Sequence, residues 1–143
     1  MFNTIMVAYD ESREAALVLA SAIELARLLG AHLKIVTVVE ALPAFYNIAA
    51  ILSPSVVDES LEEKRSQLRT LQQSAVQRAT AAGVNADAIL VDGGEVSGIV
   101  RAAQRQHADL LVIGLPKRHR LGAFKSTARG VADHTPCPLL EVN

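Results

Sequence analysis

The chain has 143 residues, 14 Lys and Arg against 15 Asp and Glu, a net charge of -1, and half of its residues are apolar. That length fits one domain, 1–143, able to bury about 68–70% of its unfolded surface, and the composition excludes disorder. Neither sign of charge dominates, so no nucleic acid and no anionic membrane is expected as a partner. Cys137 is the only cysteine, which excludes a disulfide framework. No apolar run reaches transmembrane length, and no basic segment leads an apolar one at the N-terminus, so a cytoplasmic protein is expected.

Thr4-Ile5-Met6-Val7-Ala8-Tyr9 is apolar without alternation and reads as a strand covered on both faces. Asp10-Glu11-Ser12 offers capping side chains to a helix running to about Leu29. Its apolar face is read as Leu17, Ala20, Ala22, Ile23, Leu25, Ala26 and Leu29, and Gly30 is placed to stop it. A second strand covers His32 to Val39. Residues 40–57 hold Pro43, Pro54 and an apolar cluster from Ala44 to Leu52. They are expected to form a loop over the sheet edge, with one helical turn at most; connections this long often act as lids. A long helix follows from about Asp58 to Ala82, with Leu61, Leu68, Leu71, Ala75 and Ala79 inward and Glu62-Glu63-Lys64-Arg65 in solvent. Ala86 to Val91 is the third strand, and Asp92-Gly93-Gly94 turns into a helix from about Glu95 to His107 with Ile99, Val100 and Ala103 inward. Asp109 to Gly114 is the fourth strand. A basic loop spans residues 115–125, a short helix runs from about Ser126 to His134, and a last short strand from Cys137 to Val142.

Strands that are apolar on both faces and joined by helical crossovers define a doubly wound α/β fold with helices on both sides of a parallel sheet. In such sheets, ligands sit beyond the strand carboxyl ends, where the winding reverses. Two of these ends carry chemistry. The first strand ends in Tyr9-Asp10, and the acid can accept a hydrogen bond from an amino group or a ribose hydroxyl. The fourth ends in Gly114, where a ligand could approach the backbone, and leads into a loop with four of the 14 basic residues. That loop reaches a helix start at Ser126-Thr127, where free backbone donors and the helix dipole favour an anion. Lys117, Arg118 and Lys125 would add charged donors. An ordinary solvated basic loop fits the same residues.

Taken in order, several segments resemble the universal stress protein family: Ile5-Met6-Val7-Ala8-Tyr9-Asp10-Glu11-Ser12, Ile35-Val36-Thr37-Val38-Val39, Gly93-Gly94-Glu95 leading to Ile99, Ala108-Asp109-Leu110-Leu111-Val112-Ile113-Gly114, and Thr135-Pro136-Cys137-Pro138-Leu139-Leu140. The resemblance spans nearly the whole chain. It implies a five-stranded parallel sheet in the order 3-2-1-4-5, with the switch point between strands 1 and 4, and a homodimer that often pairs through the last strand. It further implies a stress-response regulator and, in one branch of the family, binding of ATP or AMP. Binders resemble Gly-x-x-Gly, a spacer, then Gly-Ser or Gly-Thr. Here Gly114 matches the first glycine, Lys117 stands at the second, Lys125 stands at the third, before Ser126, and the loop is shorter. Gly122 is a glycine out of register. The Lys-Ser-Thr-Ala-Arg stretch is more similar to the non-binding branch. Carried over by position, base and ribose contacts would fall on Ala8, Asp10, Val38 and Ile113. Phosphate contacts would fall on Gly114, Ser126 and Thr127, with Lys117 and Lys125 supplying charge.

Other readings fit less well. Gly122 to Thr127 is no P-loop, because Phe124 precedes the lysine and His119 takes the place of the first glycine. Asp10 and Asp92 could suggest a phosphoacceptor pair, yet the implied strand order separates them. The four histidines show no metal spacing, and no metal site is expected. No nucleophile has a base beside it, so no efficient catalysis is expected and slow nucleotide hydrolysis is the upper bound. An apolar last strand with Leu139, Leu140 and Val142 would leave an exposed edge unless a second copy covers it. Two functions therefore stay open: a regulator gated by ATP or AMP, and a protein-interaction module that binds no nucleotide.

Overall fold

The computed structural model describes residues 1–40, 51–115 and 125–143, with the side chains of Lys125 and Ser126 left aside. The elements are β1 (Thr4–Ala8), α1 (Ala15–Leu29), β2 (His32–Glu40), α2 (Pro54–Ala81), β3 (Ala86–Gly93), α3 (Glu95–Arg105), β4 (Leu110–Gly114), α4 (Lys125–His134) and β5 (Leu139–Val142). All five strands join one parallel sheet in the order β3-β2-β1-β4-β5, the expected order. The central strands are apolar at every interior position because helices cover both of their faces: Ile5, Met6 and Val7 of β1 and Leu111 and Val112 of β4 are fully buried.

Alternation along the strands divides the core in two. Ile5, Val7, Tyr9, Leu33, Ile35, Leu110 and Val112 pack against α1 and α2. On the opposite face, Met6, Val36, Leu111 and Ile113 pack against α3 and α4, which contribute Ile99, Ala102, Ala103, Ala128 and Val131. Each face excludes water from its own apolar layer, the main favourable contribution to the fold.

Local details differ from the sequence reading in three places. The inward stripe of α1 is Ala15, Val18, Leu19, Ala22, Ile23 and Ala26, so Leu17, Ala20 and Leu29 point to solvent. Leu17 lies one residue off a stripe that repeats every three or four. Next, α1 starts at Ala15 with no side-chain cap. Asp10 instead turns onto the chain just after β1, its Oδ1 accepting the Ser12 N–H at 2.8 Å. Gly30 does end the helix, at φ 63°, where a side chain would be strained. Finally, α2 begins at Pro54, inside the stretch expected to be a loop. A proline at the first helical position gives up only an N–H that would have had no partner. Residues 41–50 of that expected loop lie outside the described residues, while Glu40 belongs to β2.

Candidate ligand crevice at the strand carboxyl ends

Strands β1 and β4 lie side by side, with Ile5 opposite Leu110, Met6 opposite Leu111 and Val7 opposite Val112. This is the reversal point of the winding: β2 and β3 continue to one side of β1, and β5 lies beyond β4 on the other. Tyr9-Asp10 and Gly114 therefore emerge at the same end of neighbouring strands. Asp92 lies near the end of β3, two strands away from β1, as expected.

The expected base contacts share one face. Ala8 pairs with Val36, and Ala8, Val38 and Ile113 all belong to the layer under α3 and α4. Ala8 and Val38 are half-buried and Ile113 is buried. Val38 rests on Gly98 of α3, where an added Cβ would stand 3.1 Å from Val38 Cγ2. Asp10 is exposed, with its second carboxylate oxygen free of the Ser12 turn. Behind it, β1 is anchored to β2: the Tyr9 N–H donates to the Val36 carbonyl at 2.9 Å, and the buried Thr37 hydroxyl donates to the Tyr9 carbonyl at 2.8 Å. Thr37 thus fixes the backbone immediately before Asp10, a role its place in an apolar run did not announce.

Gly114 has a packing reason to be glycine. A Cβ there would lie 2.9 Å from Val18 Cγ2 on α1. Its missing side chain makes room for a helix on the far face of the sheet, so the residue alone does not mark a ligand. Thr127 lies in the first turn of α4 and donates its hydroxyl to Glu95 Oε2 at 3.1 Å. Ser126 belongs to the same turn, and Lys125 opens it. Lys117, the remaining expected site residue, lies outside the described residues.

Glu95 is the site residue that sequence reading missed. It begins α3, and its Thr127 partner is 32 residues away, so no local motif pairs them. Burial pushes its carboxyl above the ordinary glutamate range; the Thr127 hydrogen bond pulls the other way, and the like charges of Glu40 and Asp10 add to the rise. The described part of the crevice is thus acidic: Asp10 just after β1, Glu40 from β2 and Glu95 from α3. Around this rim, Lys64 of α2 holds both carboxylate oxygens of Glu11 at 3.0 Å. The neighbouring Arg65 binds the Asp92 carboxylate, and Arg101 donates to the Asp92 carbonyl at 2.9 Å. Among the described residues, no group of His, Cys, Asp and Glu converges on a metal position, and no helix is long and apolar enough to cross a membrane.

Two open grooves run along the helices. One, of about 640 Å³, runs between α2 and the β3 edge along Gln72, Val76 and Leu90. The other, of about 730 Å³, runs along α3 past Glu95, Val96 and Val100 to His134.

Comparison with known proteins agrees with this architecture. The family model described as the universal stress protein family matches residues 1–143. A universal stress protein in the QAH/OAS sulfhydrylase 3'region of Thermus aquaticus is 30% identical over 144 residues, covering 99% of both chains. The universal stress protein UspA from Lactobacillus plantarum superposes with a TM-score of 0.83 at 24% identity, over 99% of this chain and 98% of that one. A universal stress protein from Archaeoglobus fulgidus, solved in complex with dAMP, gives a TM-score of 0.69 at 26% identity, over 99% and 98% of the two chains. The chain belongs to the universal stress protein family.

Proposed function

We propose that this protein is a cytoplasmic stress-response regulator, a single domain acting as a homodimer, that takes an adenine nucleotide, ATP or AMP, in the crevice between β1 and β4. The observation that carries the reading is the placement of Ala8, Val38 and Ile113 on one face of the sheet, with Asp10 and Gly114 emerging at the same carboxyl end of the neighbouring strands. Ala8, Val38 and Ile113 give an apolar floor for a base. Asp10 accepts from a ribose hydroxyl. Gly114, the first turn of α4 with Ser126 and Thr127, and the charges of Lys117 and Lys125 attend the phosphates. The relative solved with dAMP supports an adenine ligand. Replacement of two glycines by Lys117 and Lys125 favours a looser hold on phosphate than a full glycine loop would give. It also keeps a second reading in play, an interaction module whose crevice binds no nucleotide. No residue is assigned to catalysis, and slow hydrolysis is the most that is proposed. The homodimer reading rests on β5, an edge strand in the sheet with Leu140 exposed and Leu139 and Val142 half-buried.

Calorimetric titration with ATP and AMP tests the site, using protein whose mass in solution sedimentation has first fixed. Asp10→Ala should weaken binding about tenfold or more, the usual range for losing a hydrogen bond to a charged group. Lys125→Ala should weaken ATP more than AMP. Heat unchanged in Asp10→Ala removes the adenine site from this crevice. Absence of heat at millimolar nucleotide leaves the interaction module. A monomer mass removes the β5 pairing.

A further inference from the structure

Glu95 and Thr127 stand at the N-terminal ends of two different helices, α3 and α4, yet share a hydrogen bond of 3.1 Å. The helices are pressed together just beside it. A Cβ at Gly130 of α4 would come within 3.0 Å of Val96 Cγ2, so the glycine lets the first turn of α3 sit directly on α4. This packing holds the carboxylate against the hydroxyl. Thr127 is also the described side chain expected to meet a ligand phosphate, and a hydroxyl has one proton to give. While Glu95 is ionised, that proton is committed, and the carboxylate adds its own charge where a phosphate would arrive. Once Glu95 is protonated, the repulsion ends, Thr127 is released, and the Glu95 carboxyl itself becomes a donor.

We propose that Glu95 sets the charge tolerance of the crevice, so that anionic ligands bind by displacing the Glu95–Thr127 bond and bind best when Glu95 is neutral. This deepens the nucleotide reading and rests on it. Among the described residues, the ionisable groups bearing on Glu95 are Asp10, just after β1, and Glu40 from the end of β2, both adding like charge. His134, farther along α4, lines the same groove as Glu95 and must be tested separately. Burial already favours the neutral carboxyl, and an arriving phosphate shifts the balance further the same way. A triphosphate feels the three carboxylates more than a monophosphate does, and adenosine, with no phosphate, does not engage Thr127 at all.

The test is calorimetry with AMP, ATP and adenosine at about pH 4.5 and about pH 8; the lower value lies close to the ordinary glutamate pKa, so a raised carboxyl is mostly neutral there, and the pair of values also spans imidazole titration. It uses the full-length chain, Glu95→Gln and His134→Gln. Acidification should tighten AMP at least about fivefold more in the wild type than in Glu95→Gln, and ATP by a larger factor; titration of the ligand phosphate is common to both proteins and cancels. At the higher pH, Glu95→Gln should bind AMP about five- to tenfold more tightly than the wild type, the size expected for removing one nearby like charge. Adenosine affinity should be equal in both. A Glu95→Ser variant carries the same expectation where the Gln variant fails to fold. Binding with identical pH dependence in the wild type and Glu95→Gln overturns the inference and leaves the nucleotide site standing. A pH dependence that disappears only in His134→Gln also overturns it. Absence of heat for all three ligands in every protein removes the nucleotide site and the inference together.

Discussion

The two faces of the sheet are made from alternate residues of the same strands, yet they end differently. Along β2, Leu33, Ile35, Thr37 and Val39 are buried from one end to the other, while of His32, Lys34, Val36 and Val38 only Val36 is. Along β1, Ile5, Val7 and Tyr9 are buried, while of Thr4, Met6 and Ala8 only Met6 is. Helix length explains the contrast. The closed face lies under α1 and α2, of 15 and 28 residues; the other lies under α3 and α4, of 11 and 10. At helical rise α3 is about 17 Å long, against about 30 Å for the nine residues of β2. Among the described residues, short helices seal the middle of their face and leave both ends less covered. The carboxyl end becomes the acidic crevice, and the amino end carries His32, Lys34 and Asp87. One face is therefore sealed along its length, and the other keeps accessible surface at its ends, where the ligand is proposed.

Truncation on each face should separate these roles most clearly. Leu19→Ala removes a fully buried side chain from α1 on the closed face and should cost about 3 kcal/mol in urea denaturation, in the range for buried Leu to Ala. Val38→Ala, half-buried over Gly98, should cost about 1 kcal/mol while weakening nucleotide binding severalfold. Equal losses of stability from the two would break the distinction between the faces.

Gly114 connects them, because it ends a strand of the crevice but packs against α1 on the closed face. Gly114→Ala would force its Cβ to 2.9 Å from Val18 Cγ2 and should destabilise by about 1–3 kcal/mol, the usual range for overpacking. Val18→Ala also destabilises alone, yet in the double variant it should recover much of the Gly114→Ala loss, since the two changes meet at one contact. Additive losses would show that the glycine serves something other than α1, with a ligand then the first candidate.

Most of the fold was legible from periodicity and punctuation. Runs such as Ile5-Met6-Val7 and Leu111-Val112-Ile113 can be central strands only under helices on both faces, and Gly30 stops α1 where expected. Errors arose where spacing underdetermines direction: Leu17 and Ala20 are apolar, but neither lies on the inward stripe of α1. Pro54 was read as a loop residue although it opens a helix, because proline fits both places. At the site, neighbouring strands could be expected to bring Asp10 and Gly114 to one end, since both lie at strand termini. The Glu95–Thr127 bond, the Thr37 hold on Tyr9 and the contact of Gly114 with Val18 were not legible. Each joins elements far apart in sequence, and only tertiary packing chooses such partners.

The amino end of the open face gives the smallest effect and the sharpest sign. Lys34 and Asp87 are register partners on β2 and β3, and Asp87 Oδ2 lies 2.6 Å from Lys34 Nζ and 2.8 Å from His32 Nε2. The Lys34 hydrogen bond holds the Asp87 carboxyl below the ordinary aspartate range; burial works against it and His32 assists. A depressed folded value means that the unfolded chain binds the proton more readily, so this group stabilises above the unfolded pKa and loses its contribution as pH falls through the folded one. Because the Asp87 side chain is about half exposed, solvent screening limits the effect, and Asp87→Asn should destabilise by about 0.5 kcal/mol at neutral pH. The deficit should vanish in strong acid and shrink with added salt. Glu95, at the opposite end of the same face, carries the reverse sign: its raised value makes the ionised form a burden that grows as pH rises through the folded pKa, so Glu95→Gln should be more stable than the wild type at neutral pH. Urea midpoints of both variants at neutral and acid pH decide the matter. Shifts of the same sign would mean that the two open ends do not differ electrostatically in the way their partners require: cations around Asp87, carboxylates around Glu95.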